Sequence, residues 1–366
     1  MTAQTTHMTR RSGWRVTLET NWFFLLVFGF LLIFPWLVGA VSGTSPTARR
    51  GEAVFQQSIM VEYLIFAMLA MSYNLMFGFT GVISFGHAMF FGIGGYLLGG
   101  FVRAFGGDVG VPLGLLAAVG ACGLIGLLIG FVSLRLRGVY FAMFTLAIAE
   151  MVYIFMRRNP TTGSEDGFGL TGIPAWYDPT QNRIVFYYIV VLIFAAMFMF
   201  IRRLMMSPTG AVLLGVRENE NRAKSIGYNT LKFKLLAISV AGVLAGIAGV
   251  LFSLLNKKVG PEMLFVSFTV NPLLYTIVGG IGTFTGPVIG AMGLSLLDRQ
   301  LRDASLTIGD LTINIGHNWA IILGIIFIVV VLVFPQGIVG TYNRWYARFR
   351  SRRSGVRAAP AASAGD

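Results

Sequence analysis

Long apolar stretches separated by short polar segments dominate this chain. An α-helix needs about 20 predominantly apolar residues to cross the hydrocarbon core of a bilayer. Three stretches are shorter or rich in glycine: Val82–Val102, Met263–Gly280 and Phe284–Leu297. The stretches that come close to the full length are Trp22–Val41, Ser58–Met76, Val111–Val132, Val139–Phe155, Ile184–Phe200, Leu235–Leu255 and Trp319–Phe334. They are too long and too uniformly apolar for barrel strands, so we expect membrane-spanning helices.

The composition supports this interpretation. Charged residues make up 12% of the 366-residue chain and apolar residues 55%, whereas about a quarter of an ordinary soluble domain is charged. A soluble protein of this size could not bury all of these stretches. The sequence therefore predicts an all-α polytopic membrane protein with about ten transmembrane helices. Some of them should be broken or re-entrant where glycine is dense.

The net charge of +13 is explained by topology and does not indicate a nucleic-acid partner. Basic residues in short loops mark the cytoplasmic side, and they cluster before the first span, after the last, around Arg135 and around the central polar segment. An even number of spans, with both termini cytoplasmic, satisfies all four clusters. The exceptions, which this arrangement leaves outside, are Arg49–Arg50, Arg157–Arg158, Lys257–Lys258 and Arg299 with Arg302.

Three regions follow from this topology. Residues 1–21 form a cytoplasmic N-terminal segment, residues 22–340 form the transmembrane domain, and residues 341–366 form a basic cytoplasmic tail. The tail is expected to be disordered, and a basic tail beside anionic lipid needs no other partner. Cys122 is the only cysteine, so no internal disulfide can form.

Residues 205–231 form a polar segment that interrupts the apolar stretches. Ser207 and Pro208 predict a helix start, and Gly227 predicts a helix end, with Gly215 dividing the segment into two short helices. One face is apolar (Val212, Val216, Ala223 and Ile226), and the other is polar (Arg217, Glu218, Glu220, Asn221, Arg222 and Lys224). Two interpretations remain open. The segment docks another protein, or it is an interfacial helix that only joins two spans.

Few polar residues lie within the apolar stretches. Ionisable or strongly polar groups in a membrane are functional candidates because they are costly in lipid, although each could instead stabilise helix packing. The candidates for a translocation path are Asn74, Ser84, His87, Glu150 and Asn271. No residues have the spacing of a metal site or a catalytic triad, so an enzyme is not expected. The chain has no Gly-Lys dipeptide, so it lacks the phosphate-binding loop of an ATPase.

Several segments resemble one family. Ser207–Asn229 (SPTGAVLLGVRENENRAKSIGYN) strongly resembles the cytoplasmic coupling region of branched-chain amino acid ABC importer permeases. Tyr73–Tyr96 and Leu274–Ala291 are similar to the early and late Gly-rich segments of that family. Thr145–Glu150 and Thr162–Gly167 also fit. The resemblance covers roughly Val61 to Val339 and is closer to the larger of the two permease subunits. One departure is Ala211, where the family usually has arginine.

The resemblance implies a type II-like ABC importer permease of the cytoplasmic (inner) membrane. Its partners would be a second related permease, two cytoplasmic ATPase subunits and an extracytoplasmic solute-binding protein. ATP and magnesium would belong to the ATPase subunits, and this chain would need no cofactor. The residues expected to couple to the ATPases are Gly215, Arg217, Glu218, Asn219, Glu220 and Arg222.

The expected substrates are branched-chain or other apolar amino acids. Two alternatives remain. A permease of the same family could carry urea or short amides, and a secondary carrier driven by ions would belong to a different class. The carrier would not need residues 205–231, and co-purification with an ATPase subunit would separate the two classes.

Overall fold

The computed structural model describes residues 13–43, 45, 47, 51–133, 135–136, 138–303, 305–308, 311–314, 319–342 and 344–345. Within these ranges the chain is almost entirely helical. The predicted tail from residue 346 onward and residues 1–12 lie outside them. The helices are α1 (Gly13–Ser42), α2 (Glu52–Thr80), α3 (His87–Ser133), α4 (Val139–Arg158), α5 (Arg183–Met205), α6 (Pro208–Glu218), α7 (Glu220–Ser225), α8 (Thr230–Asn256), α9 (Ser267–Gly279), α10 (Gly286–Asp303) and α11 (Trp319–Val333).

In the described part of the chain, six helices are long and apolar enough to cross a bilayer. They are α2, α3, α4, α5, α8 and residues Trp319–Tyr342, which comprise α11 and its continuation. Val27–Ser42 is a shorter apolar helix. The chain is therefore an all-helical polytopic membrane protein, as the sequence predicts.

Helix α2 lies at the centre of the molecule and is buried along most of its length. Leu64, Met68 and Tyr73 are fully buried in it. Around it, glycines bring helix backbones into direct contact. A Cβ atom added at Gly94 of α3 would lie 2.2 Å from the carbonyl oxygen of Gly246 in α8. Small residues are the usual means of close packing between membrane helices, and they explain the many glycines within the spans.

Helix α3 reverses direction at Gly106. This residue has φ 75° and ψ 172°, a combination that is nearly restricted to glycine. Past the reversal, Gly110 lies against Val102 and Gly114 lies against Leu98. The predicted stretches Val82–Val102 and Val111–Val132 are thus two neighbouring arms of α3.

The chain leaves helical structure at two Gly-rich breaks, residues 81–86 and residues 280–285. Gly81 has a left-handed conformation with φ 74° and ends α2. Residues 82–86 then run without helical structure, and the Phe85 amide donates to the Thr145 hydroxyl, 3.2 Å away. The first residues of the apolar stretch Val82–Val102 therefore belong to the break, and the helix begins at His87.

The two ends of the molecule are distinct. Helices α6 and α7 lie at one end, which we call the coupling face. Helix α8 leads away from them for 27 residues, about 40 Å at 1.5 Å per residue. It ends at the opposite face, where β1 (Phe168–Gly169) pairs with β2 (Lys258–Val259) in antiparallel register. A second antiparallel pair joins β3 (Ser305–Ile308) and β4 (Leu311–Asn314).

Candidate functional site

The candidate site begins with the two short helices of the coupling face. Pro208 occupies the first turn of α6, as predicted, while Ser207 adopts an extended conformation and its hydroxyl donates to the Leu204 carbonyl, 2.6 Å away. Leu213 and Val216 are buried on the inner side of α6. Gly227, with φ 98°, follows the end of α7. The segment is therefore amphipathic and packs onto the helical core.

Arg217 connects α6 to the first Gly-rich break. Its guanidinium Nη1 donates a hydrogen bond to the carbonyl of Gly78 in the last turn of α2. The same nitrogen lies so close to Gly282, in the second break, that a Cβ atom there would be only 2.4 Å away. An added Cβ atom at Gly81, in the first break, would lie 3.3 Å from the Arg217 Cγ atom, so one side chain of the coupling segment lies against both breaks.

The boundary between α6 and α7 is at Asn219. This residue has φ −157° and ψ 100°, and its side chain accepts a hydrogen bond from the Arg222 amide at 2.9 Å. That is the geometry of a helix N-cap. The predicted division at Gly215 is wrong, because α6 continues through Gly215 and the competing cap at Asn219 ends it instead.

Glu220 anchors α7 to α8. Its carboxylate accepts from Lys234 at 2.6 Å, from Lys224 at 3.0 Å and from the Thr230 hydroxyl at 3.0 Å. Burial by itself would raise the pKa of Glu220, but hydrogen bonds from Lys234 and Lys224 outweigh it and lower the pKa to about 2. Glu220 is therefore ionised and fixes the position of α7.

The remaining coupling candidates point into solvent. Glu218 and Arg222 are exposed, and neither side chain is hydrogen-bonded to another described residue. Apolar side chains of the same segment are also exposed, since Ile226 is 69% and Tyr228 47% exposed. A mixed surface of charges and apolar groups is typical of a protein interface.

Asn74 joins α2 to the second Gly-rich break. Its amide nitrogen donates to the Thr283 carbonyl at 2.9 Å, and its side-chain oxygen accepts from the Gly282 amide at 2.9 Å. Gly78 leaves the necessary space, because a Cβ atom at that position would lie 1.8 Å from the Asn74 oxygen. Asn74 is 2% exposed, and we call its contacts with Gly282 and Thr283 the junction.

Ser84 lies in the first Gly-rich break and His87 begins α3, and both are buried. The Ser84 hydroxyl accepts from the Gly86 amide at 3.1 Å. The Nε2 atom of His87 is 2.8 Å from the Ser72 hydroxyl, whereas its Nδ1 atom has no hydrogen-bond partner among the described residues. The ring also meets Tyr73 edge to face at 5.3 Å. His87 is 1% exposed.

Glu150 and Asn271 are placed differently. Both are exposed on apolar helices, Glu150 on α4 and Asn271 on α9. Neither side chain has a hydrogen bond or an ion pair with another described residue. The structure thus divides the five path candidates into a buried group of three and an exposed group of two.

Several polar residues that contact these candidates or their chain neighbours could not be identified from the sequence. Thr269, fully buried in α9, accepts from the Ala88 amide at 2.7 Å. Ser72 contacts His87, and Thr283 binds Asn74. Hydroxyl residues are common in membrane helices, so only their spatial neighbours identify them. Among the described residues, no group of three His, Cys, Asp or Glu side chains could hold a metal ion.

Comparison with known proteins gives one consistent result. Residues 56–339 match the family described as branched-chain amino acid transport system, permease component. No solved structure matches the chain.

Among the similar proteins is the high-affinity branched-chain amino acid transport system permease protein LivM of Salmonella typhimurium. It is 28% identical over 302 residues, which cover 75% of this chain and 68% of that protein. The probable permease LivM of Methanocaldococcus jannaschii is 25% identical, with 77% and 92% covered. LivH of Escherichia coli K12 is 24% identical, with 75% and 91% covered.

Proposed function

Since this chain belongs to the family of branched-chain amino acid transport permeases, we propose that it is the transmembrane permease subunit of an ATP-binding cassette importer. It moves branched-chain or other apolar amino acids inward, and separate ATPase subunits supply the energy. The observation that supports this most strongly is the contact of Arg217 with both Gly-rich breaks. Through this contact, a displacement of the surface helix α6 would move residues of the membrane domain.

The coupling proceeds through α6 and α7 as one unit. A partner subunit that binds Glu218 and Arg222 pulls on α6, and Arg217 transmits the displacement to the end of α2 and to residues 280–285. Because Asn74 holds α2 to residues 280–285, the end of α2 and the second break move jointly. Glu220 keeps α7 fixed to α8, so the force also tilts that helix. Alternating access results when these helices change their packing.

The membrane arrangement has ten crossings. The ten crossings are α1, α2, the two arms of α3, α4, α5, α8, α9, α10 and α11. The coupling face, with Arg202, Arg203 and Lys232 beside α6 and α7, is on the cytoplasmic side of the inner membrane, and so are both termini. At the breaks 81–86 and 280–285, which lie near the coupling face, the chain turns back into the membrane.

Three kinds of partner follow. A second related permease covers part of the lipid-level surface, which fits the similarity of the chain to both LivM and LivH. Two ATPase subunits carrying ATP and magnesium bind at the coupling face. A solute-binding protein delivers substrate to the opposite face. The chain itself supplies no catalytic group.

Charge reversal at the coupling face tests the proposal. The double variant Glu218→Lys with Arg222→Glu reverses both charges on the docking surface. A loss of about 1.4 kcal/mol in binding free energy lowers the affinity for the ATPase subunits about tenfold. In proteoliposomes with the partner subunits, we expect ATP-dependent leucine uptake to fall about tenfold or more, while membrane insertion is unchanged.

The matched control is Arg158→Glu, an exposed reversal at the opposite face. Uptake by the double variant equal to that of the wild type would refute the coupling role. Uptake of urea in place of leucine by the wild type would assign the chain to the alternative substrate class. Uptake that needs an ion gradient and no ATPase subunit would indicate the secondary carrier.

A further inference from the structure

An open cleft lies at the opposite face, between the end of α4 and the beginning of α9. Its volume is about 440 Å³, within the range of small-molecule sites. The lining residues come from three segments of the chain and combine charged with aromatic side chains. They are Tyr153, Arg157, Glu165, Pro261, Glu262, Phe265, Ser267 and Phe268. We call this space the α4–α9 cleft.

The rim of the cleft offers charges of both signs. Arg157 pairs with Glu165 at 2.6 Å, and Glu262 pairs with Lys258 at 3.0 Å. All four side chains are about half exposed or more. Exposed ion pairs contribute little to stability, so each can exchange its partner for a ligand charge at small cost. A guanidinium and a carboxylate on one cleft match the two charges of a zwitterion.

The wall of the cleft is aromatic. The Tyr153 and Phe265 rings meet with their centroids 6.0 Å apart. Phe268 stacks on Phe91 of α3 at 4.9 Å and 20°, so the wall continues into the helical core. Phe265 is 47% exposed and is therefore available to cover an apolar side chain of a ligand.

Polar residues continue inward from the cleft on both of its helical walls. Glu150 is three residues before Tyr153 on α4, and Asn271 is three residues after Phe268 on α9. Residues three apart share a helix face, so each lies about one turn deeper on the face that lines the cleft. Both are exposed. Exposed polar groups within apolar spans face a water-filled path or a protein partner and avoid lipid.

We propose that the α4–α9 cleft is the entry site for a zwitterionic α-amino acid with an apolar side chain. Arg157 binds the carboxylate, Glu262 binds the ammonium group, and the aromatic wall covers the side chain. Glu150 is the next ammonium site along the path. This inference rests on the proposed function, because it specifies where the transported amino acid first contacts the permease.

Cysteine protection tests the site on the purified full chain in lipid nanodiscs. The native Cys122 is fully buried, so it is shielded from water-soluble thiol reagents. Ser267→Cys places a thiol in the cleft at a lining residue to which no ligand contact is assigned. Saturating leucine should slow its modification about tenfold, since a site that is about 90% occupied is open for only about a tenth of the time. Leucinamide and 4-methylpentanoate each lack one of the two charges and should not protect.

Two kinds of control make the test specific. Trp176→Cys, 62% exposed at the same face but outside the cleft, should react equally fast with and without leucine. On the Ser267→Cys background, Arg157→Gln and Glu262→Gln should each abolish protection. Arg158→Gln, a neighbouring exposed arginine that does not line the cleft, should retain it.

The inference is overturned if leucine leaves the Ser267→Cys rate unchanged, or if it slows Trp176→Cys equally. It is also overturned if Arg157→Gln weakens capture of the solute-binding protein while leucine gives no protection, because the rim would then be a protein-docking surface. Failure of the proposed function is separate. It would appear as absence of ATP-dependent leucine uptake by the reconstituted wild-type complex, whatever the protection result.

Discussion

Asn74 illustrates how one side chain holds two distant parts of the chain together. Both of its polar atoms are hydrogen-bonded to backbone groups 208 and 209 residues away. Asn74→Leu keeps the size of the side chain and leaves the Gly282 amide and the Thr283 carbonyl without partners. Since each unsatisfied buried group costs about 1–3 kcal/mol, we expect a loss of about 2–4 kcal/mol in stability. Thermal unfolding in nanodiscs measures it.

The matched control is Asn256→Leu, at an exposed position where the side chain donates a hydrogen bond to the Phe252 carbonyl of its own helix. It should unfold close to the wild-type temperature. Equal melting temperatures for Asn74→Leu and the wild type would contradict the role of Asn74 as a junction residue.

Glu220 gives a prediction about pH. Its pKa is about 2 in the folded protein against 4.5 ordinarily. A lowered carboxylate pKa contributes stability that is complete above about pH 4.5 and is lost as the pH falls towards about 2. The wild type should therefore be more stable than Glu220→Gln at pH 7, and the difference should shrink at about pH 3. Melting temperatures of both proteins across this range test it, and a difference that does not change with pH would contradict the ion-pair account.

At the scale of helices, close backbone contact between α3 and α8 is the main packing device. Gly94→Val introduces a Cβ atom 2.2 Å from the Gly246 carbonyl oxygen, so the helices must separate. Overpacking of this kind costs about 1–3 kcal/mol or more. We expect a lower melting temperature and less folded protein after size-exclusion chromatography.

Gly120→Val is the control in the same helix, because a Cβ atom there meets nothing within 4 Å. The two substitutions change helix propensity equally, so any difference between them reports packing. If both variants have the same melting temperature, close contact of α3 with α8 does not limit stability.

Local chemistry explains which elements the sequence can predict. The apolar stretches predict the long helices, and Pro208 and Gly227 correctly mark the limits of the coupling segment, because proline and glycine act on their immediate neighbours. The boundary between α6 and α7 depends on whether the helix ends at Gly215 or continues to the cap at Asn219, and composition does not decide between the two. The reversal at Gly106 likewise requires a particular φ that several glycines could adopt.

The candidate site depends on contacts that sequence does not contain. Arg217 is predicted as a coupling residue from the resemblance, but its bond to Gly78 joins residues 139 apart. The path candidates were selected only as polar residues in apolar stretches. Their division into a buried group and an exposed group follows from helix rotation in the folded protein, and their part in transport stays a prediction.

The proposed transport cycle of the whole molecule requires two faces on opposite sides of the membrane. The coupling face must meet ATPase subunits in the cytosol, and the α4–α9 cleft must receive substrate outside. The exposed side chains Ile226 and Trp176 mark these two faces. Each can be replaced by cysteine without touching the buried junction.

Sidedness of these two cysteines is the most direct test of the central claim. A membrane-impermeant maleimide is applied to right-side-out and inside-out vesicles, with the wild type, whose Cys122 is buried, as the unlabelled control. Ile226→Cys should be labelled only in inside-out vesicles and Trp176→Cys only in right-side-out vesicles. Labelling of Ile226→Cys from the outside would contradict the account, because no ATPase subunit could then reach α6 and α7.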